Sequence, residues 1–202
     1  MCFREEHKGA WTMTYSLTGK ILLAMPNLTD SYFDRAVILI CTHDQEGAMG
    51  LVLNHALPDI DFKDMLTHIG IKSQIQIDPK SQKVLDGGPL ESARGFLLHS
   101  PDYKKDDTIS ITDDFSITST LEALQEVVAG HGPDKMLFIL GYAGWEAGQL
   151  DKEIQDNDWL VLDGSTALIF DTAAEEQWNC ALGQLGIDPV MLVGAPHGIG
   201  HA

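Results

Sequence analysis

Arginine is almost missing from this chain. Only Arg4, Arg35 and Arg94 occur in 202 residues, and Lys and Arg together number 13 against 30 Asp and Glu. With a formal net charge of −17, few cations are left to displace the counterions of a nucleic-acid duplex, so direct nucleic-acid binding is not expected. The acid excess reads as a solvated surface that favours solubility. Cysteine is scarce too. Cys2, Cys41 and Cys180 are odd in number and far apart, with neither a C-x-x-C pair nor metal-ligand spacing, so reduced thiols in the cytoplasm are the expectation. No apolar run is long enough to span a bilayer, and the charged opening Met1–Lys8 lacks the apolar stretch of a secretory signal. The patterns G-x-S-x-G, H-E-x-x-H, G-x-x-x-x-G-K-S/T and G-x-G-x-x-G after a strand are also missing, which removes the direct arguments for an enzyme without excluding one.

What is present is enough apolar material for a core. Hydrophobic residues make up 44% of the chain, and folding at this length removes roughly 70% of the unfolded surface from water. Residues 1–15 lack periodicity and read as a flexible extension, with Met13 an alternative start; 16–202 contain no linker, repeat or low-complexity run and read as one domain. Ala36–Thr42 and Ala48–Asn54 are apolar on both faces, as strands covered on both sides are, and His43–Gly47 between them has the length of a hairpin loop. Lys135–Leu140 is a third such run. Further strands are expected at Ile21–Ala24, Lys83–Asp86, Gly95–His99, Thr108–Thr112 and Trp159–Leu162. Ser119-x-x-Glu122 and Thr172-x-x-Glu175 read as capping boxes. The first opens a helix with Leu121, Leu124 and Val128 on one face. The second opens one with the stripe Ala174, Trp178, Ala181, Leu182 and Leu185. Asp61 caps a short helix with Phe62, Met65 and Leu66, another runs from about Glu146 to Gln155, and Asp188-Pro189 starts a final turn. Hairpins and helices without regular β-α-β alternation point to α+β.

Several residues could carry function. Cys41, inside an apolar strand, is expected in the core, whereas Cys180 lies nearly opposite the stripe of its helix and is expected at the surface or an interface. Asp86-Gly87-Gly88-Pro89 follows a strand, and Gly141–Trp145 is read as joining a strand to a helix. Either glycine stretch can be a tight turn with close backbone packing or a cradle for an anion. In a chain so poor in arginine, Arg35 (near Asp30 and Asp34) and Arg94 (near Asp86 and Glu91) each have a fixed partner, as an internal ion pair or as an anion clamp. His43 and His55 fall at opposite ends of the hairpin, and His197 and His201 sit among Pro and Gly, so no metal site is expected and no cofactor is implied. The ligand-binding candidates are Arg35, Asn54, Gly87, Gly88, Arg94, His99, Tyr142 and Trp145. Convergence of Arg94, His99, Asn54 and Tyr142 in one cleft would make an enzyme the alternative.

These residues also carry a resemblance. Gly19-Lys20 with Ala24-Met25-Pro26, Phe33-x-Arg35, Gly47-Ala48-Met49-Gly50-Leu51-Val52-x-Asn54, Gly87-Gly88-Pro89, Arg94-Gly95-Phe96-x-Leu98-His99, Gly141-Tyr142-Ala143-Gly144-Trp145-x-x-Gly148-Gln149-Leu150 and the terminal Gly200-His201-Ala202 resemble the YqgE/AlgH family of bacterial proteins. The resemblance runs from about Leu17 to the C-terminus. It departs at His55-Ala56, where the family usually has a basic residue and Pro, and at Ala195-Pro196-His197-Gly198. It implies an α+β fold with a branched mixed β-sheet curled into a partial barrel with flanking helices. It supplies no reaction. The family's second name reflects an association with control of exopolysaccharide gene expression, but this sequence contains no helix-turn-helix. The expected function is therefore a non-enzymatic binding or regulatory domain acting through a protein or small ligand, with no nucleic-acid or membrane partner. A transcriptional regulator is the reading that the charge disfavours.

Overall fold

The two-sided apolar runs lie at the centre of a curved sheet. The structure is a computed structural model and describes residues 15–26, 28, 30–71, 83–189 and 192. All but the last residue of the expected extension over 1–15 lies outside these, as do Gly200-His201-Ala202 and most of the turn expected after Asp188-Pro189. The strands are β1 (Lys20–Ala24), β2 (Val37–Asp44), β3 (Gly47–Val52), β4 (Ala56–Asp61), β5 (Lys83–Asp86), β6 (Leu90–His99), β7 (Ile109–Ser110), β8 (Ser116–Thr118), β9 (Met136–Glu146) and β10 (Trp159–Asp163). The helices are α1 (Phe62–His68), α2 (Leu121–Val128), α3 (Gln149–Gln155) and α4 (Ala174–Gln184). Strand order is β10-β1-β2-β3-β9-β6-β8-β7, with β4 and β5 branching off beside β9. β5 pairs parallel with β9, and the other pairings are antiparallel. The fold is thus α+β, a branched mixed sheet curled into a half-barrel with flanking helices.

β9 is the hub of this sheet. Its first half lies between β5 (Val84↔Phe138, Leu85↔Ile139) and β6 (Phe96↔Ile139, Leu98↔Leu137). Its second half pairs with β3, from Gly50↔Ala143 to Gly47↔Glu146. The change of partner falls at Gly141, whose φ is +71°. Here the two glycine stretches of the sequence meet. Gly87 donates its N–H to the Leu140 carbonyl at 2.7 Å and accepts from Val52 N–H at 3.0 Å. A Cβ on Gly88 would stand 2.0 Å from the Tyr142 carbonyl carbon, and one on Gly141 would stand 2.5 Å from the Gly88 oxygen. Bare backbones are pressed together, so side chains are excluded from the contact.

Side-chain alternation across the sheet builds three cores. Ile21, Leu23, Leu39, Leu51, Phe96 and Ile139 face the concave side, where α4 and a π-helical turn over Ala167–Asp171 fill the trough. On the opposite face, Leu22, Ile38, Ile40 and Val52 pack with Leu150 of α3 and with Trp145 and Trp159. Further along that face, Val84, Leu97 and Phe138 are covered by Phe62 and Leu66 of α1 and Leu124 and Val127 of α2. Covering on both sides explains the continuous apolar runs.

Several expectations are corrected. The His43–Gly47 loop shrinks to Gln45-Glu46, because pairing continues to Asp44↔Gly47. Gly141–Trp145 does not join a strand to a helix; it continues β9, because Ala143 to Glu146 hydrogen-bond β3. Glu146 ends that strand, and α3 starts at Gln149 behind Gly148. Thr120, one residue after Ser119, caps α2 by accepting from Ala123 N–H, and the buried face is Ala123, Leu124 and Val127, leaving Leu121 exposed. Thr172 does not cap α4: its hydroxyl donates back to the Ala167 carbonyl at 3.0 Å, closing the π-helical turn. In the α4 stripe Trp178, Ala181 and Leu182 are buried, while Leu185 is exposed. β4 and β8 were not anticipated, being short or mostly polar. Asp61 does cap α1, accepting from Asp64 N–H at 2.7 Å.

The glycine contact makes a paired test. Gly88→Ala is expected to destabilise the protein by more than about 3 kcal/mol, since backbone cannot yield to the new methyl. Gly183→Ala, in α4 with no atom within 4 Å of the added methyl, is expected to stabilise by about 0.5–1 kcal/mol. Urea unfolding of both variants measures the contrast.

Candidate functional site

The candidate residues fall into four hydrogen-bonded groups, of which the second, with Asn54, adjoins the first through the Asp86 N–H on the His55 carbonyl. Around the glycine contact, Arg94 donates to Glu91 at 3.2 Å and lies 5.1 Å over the Phe96 ring, and the Tyr142 hydroxyl donates to the other Glu91 oxygen at 3.3 Å. Glu91, with φ of +44°, thus joins Arg94 and Tyr142 beside Gly87 and Gly88. On the same turn Asp86 accepts from the Tyr32 hydroxyl at 2.6 Å, and burial together with this carboxylate pushes the phenol well above its ordinary pKa.

Arg35 and Asn54 form a second pair. Asn54 Oδ1 accepts from Val37 N–H and its Nδ2 donates to the Arg35 carbonyl, both at 2.8 Å. One amide therefore pins the Arg35 turn, where φ is +50°, to the start of β2. The Arg35 guanidinium lies 5.6 Å over Trp178, whereas an ion pair with Asp30 or Asp34 was expected. Arg94 keeps the expected Glu91.

His99 stands apart, four residues along β6 from Gly95 and so about 13 Å away. It is fully buried. Nδ1 lies 2.8 Å from the Ser100 carbonyl, which can only accept, so Nδ1 carries the proton and Nε2 accepts from Thr118 Oγ1 at 3.0 Å. Thr118 in turn accepts from the Thr108 hydroxyl at 2.8 Å, and Thr108 from Lys105 N–H at 3.0 Å. This directed chain ties the loop before β7 to β8 and β6. Burial pulls the imidazole below its ordinary pKa of 6.5, outweighing the Ser100 carbonyl and the Asp102 charge.

Trp145 lies on the face covered by α3. Its indole N–H and that of Trp159 both donate to Glu153 Oε2 at 2.8 Å, while Gln149 Nε2 donates to Oε1 at 2.8 Å. A single carboxylate thereby fastens α3 to β9 and β10. The structure thus joins Gly87, Gly88, Tyr142 and Arg94, pairs Arg35 with Asn54, and places His99 and Trp145 elsewhere. Arg94 and Tyr142 meet on Glu91, whereas Asn54 bonds Arg35 and Val37, and His99 bonds Ser100 and Thr118.

Two hollows were not read from the sequence, and none of the eight candidates lines either. A groove of about 320 Å³ runs between Met65 of α1, with Ile69 just past its end, and Leu121 and Leu124 of α2, floored by Leu97 and Phe138. Ile69 and Leu121 are 44% and 54% exposed. A cleft of about 240 Å³ opens on the other face between Leu85 of β5, Leu137 of β9, the π-helical turn and Gln177 of α4. Gln177 is 2% exposed. Its Nε2 donates to the Leu168 and Ile169 carbonyls at 3.1 and 3.2 Å, while Oε1 has no partner in the protein. The signal was present: Gln177 falls on the stripe three residues after Ala174 and four before Ala181, a polar residue in an apolar row.

Among the described residues no three His, Cys, Asp or Glu side chains are grouped to hold a metal ion. No helix among them is long and apolar enough to cross a membrane. Cys41 is buried with its thiol pushed up to about 12 by burial, and Cys180 is exposed, as their positions in the pattern indicated.

Glu153→Ala strips both indole N–H groups of their acceptor and is expected to cost about 2–4 kcal/mol. Chemical unfolding followed by tryptophan fluorescence measures it. For His99 the unfolded chain takes up a proton near 6.5 and the folded chain only at lower pH. Its contribution to stability is therefore fully present above about 6.5 and lost as pH falls through the folded value. The His99 Cε1–H resonance is expected to titrate with a midpoint below 6.5; a midpoint at or above 6.5 contradicts the neutral, buried ring.

Residues 21–190 match the model of the family described as AlgH-like. A UPF0301 protein of Rhodospirillum rubrum is 43% identical over 176 residues, covering 87% of this chain and 91% of the relative. A UPF0301 protein of Rhodopseudomonas palustris is 46% identical over 182 residues, covering 87% and 84%. The solution structure of the AlgH protein from Pseudomonas aeruginosa is similar at a TM-score of 0.73 and 31% identity, over 96% of this chain and 100% of that one. The crystal structure of a Corynebacterium diphtheriae protein, 22% identical, shares the fold at a TM-score of 0.68 over 86% and 88% of the two chains. By this match and these relatives, the chain belongs to the AlgH-like, or YqgE/AlgH, family of bacterial proteins.

Proposed function

We propose that this protein acts by binding rather than by catalysis, as a regulatory domain in the cytoplasm that receives a protein partner in the groove between α1 and α2. The observation that carries this reading is the groove itself, an open apolar hollow of about 320 Å³ with Ile69 and Leu121 left 44% and 54% exposed at its sides. Exposed apolar side chains gathered along a concave surface are the feature that partner sites display. The occupant that fits is a protein segment presenting apolar side chains, as amphipathic helices do to such grooves.

The polar candidates support the same reading by how they are used. Asn54 spends both ends of its amide on backbone, His99 both ring nitrogens, and Glu153 both oxygens. Such groups hold the sheet, the β7–β8 loop and α3 in place. The net charge of −17 speaks against a nucleic-acid partner and for one with cationic groups around its apolar contact. Free Cys41 and Cys180 suit a reducing compartment.

A photo-crosslinking residue placed at Leu121 in living cells is expected to trap one predominant protein. Adding Ile69→Asp, at a position 44% exposed, is expected to lower that yield at least tenfold, with urea unfolding checking that the variant stays folded. No adduct, or an adduct indifferent to Ile69→Asp, would reject the groove as the partner site.

A further inference from the structure

We propose that His43 is a proton-operated latch. With its ring neutral it holds Ser16 and Leu17 against the end of the β2–β3 hairpin; with its ring charged it releases them and turns to Asp151 of α3. The latch stands apart from the groove between α1 and α2 and shares no lining residue with it.

The geometry sets the ring between two partners. His43 pairs with Ala48 near the end of β2, and its side chain, 9% exposed, sits between the segment before β1 and the first turn of α3. Leu17 N–H donates to Nδ1 at 3.1 Å. An N–H can only donate, so Nδ1 carries a lone pair, and the proton of the neutral ring is on Nε2. Nε2 faces Asp151 Oδ2 at 3.7 Å, too far for a good hydrogen bond. The ring is thus committed to Leu17 on one side and poised towards a carboxylate on the other.

Protonation adds a second N–H, at Nδ1. Donor then meets donor, and Leu17 N–H loses its acceptor. The imidazolium also gains an attraction to Asp151 that the neutral ring lacks. Both changes favour the open arrangement. The open form carries the extra proton and the closed form does not, so the latch is shut at high pH and opens as pH falls. Among the described residues Asp151 is the charged group within 4 Å of the ring. Lys152 follows it on α3, Asp44 and Glu46 lie in the hairpin, and Glu146 of β9 pairs with Gly47. Lys20, after the latched segment, is held by Asp163.

The other bonds of the segment set how far it opens. Ser16 Oγ donates to the His43 carbonyl at 3.0 Å, but this bond is exposed and water can replace it. His43 N–H donates to Thr18 Oγ1 at 3.1 Å and Gly19 N–H to the Ile40 carbonyl at 2.8 Å. Neither involves the ring, so release stops at Leu17. Leu17 packs against the core that contains Leu150 and Trp145, and its release uncovers apolar surface there.

NMR of the full chain from about pH 8 to 5, the range in which histidine changes charge, follows the His43 ring and the Leu17 amide together. The protection factor of the Leu17 amide against exchange is expected to fall about tenfold with the midpoint of the His43 ring, while the Leu39 amide in β2 keeps its protection. His43→Asn places an oxygen that does not titrate near the position of Nδ1, and is expected to abolish the fall. Asp151→Asn removes the partner of the charged ring and is expected to move both midpoints to lower pH together. Should His43→Asn fail to fold, Asp151→Asn decides. A ring that stays neutral down to pH 5, or Leu17 protection that outlasts the ring's titration, would overturn the latch. So would a fall shared by Leu39, a fall that persists in His43→Asn, or midpoints unmoved by Asp151→Asn.

Discussion

Where Gly87 and Gly88 lie against Gly141 and Tyr142, two stretches of backbone touch with no side chain between them, and the branching of the sheet depends on that contact. β9 must leave β5 and take up β3 within a few residues. Any Cβ on Gly88 would overlap the Tyr142 carbonyl carbon at 2.0 Å, and backbone has no rotamer with which to retreat. The hydrogen bonds of Gly87 to both Leu140 and Val52 then tie three strands at one point. With the branch closed, the concave trough, the α3 face and the α1–α2 face become three separately filled cores.

Polar side chains secure what the glycines shape. Asn54, His99 and Glu153 each sit where an irregular segment meets the sheet, and each bonds backbone or indole groups there. Left unpaired, such groups cost more than the hydrogen bonds gain, so these side chains specify geometry. Gln177 departs from that rule at one atom. Among the described residues it is the one buried side-chain polar atom without a partner.

The two hollows are assembled from residues that look ordinary in one dimension. Met65, Leu97, Leu124 and Phe138 are apolar members of regular elements, and what makes a groove of them is that α1 and α2 stand apart over β6 and β9. Arg35 shows the converse. Its scarcity in the sequence drew attention to a charge partner, but its guanidinium stacks on Trp178, a residue 143 positions later that pattern analysis had already assigned to a helix stripe.

Local rules were legible wherever a short stretch decides its own conformation. The apolar runs of β2, β3 and β9 announced strands covered on both sides, Asp61 announced a helix start, and Cys41 and Cys180 were sorted by position alone. The family, and with it the curled branched sheet, was legible in glycine, arginine and aromatic motifs. Less legible was anything decided by two distant backbones at once. Gly141–Trp145 has the composition of a turn, and only its ladder with β3 keeps it a strand. Thr172 matches a helix cap, and only the π-helical turn behind it claims its hydroxyl. Sequence by itself determined the apolar strands, the helix start at Asp61 and the burial of Cys41, because those follow from side-chain chemistry and local pattern. Tertiary structure alone decided which of them face one another, since hydrogen bonds and hollows belong to pairs of elements that the chain order does not place together.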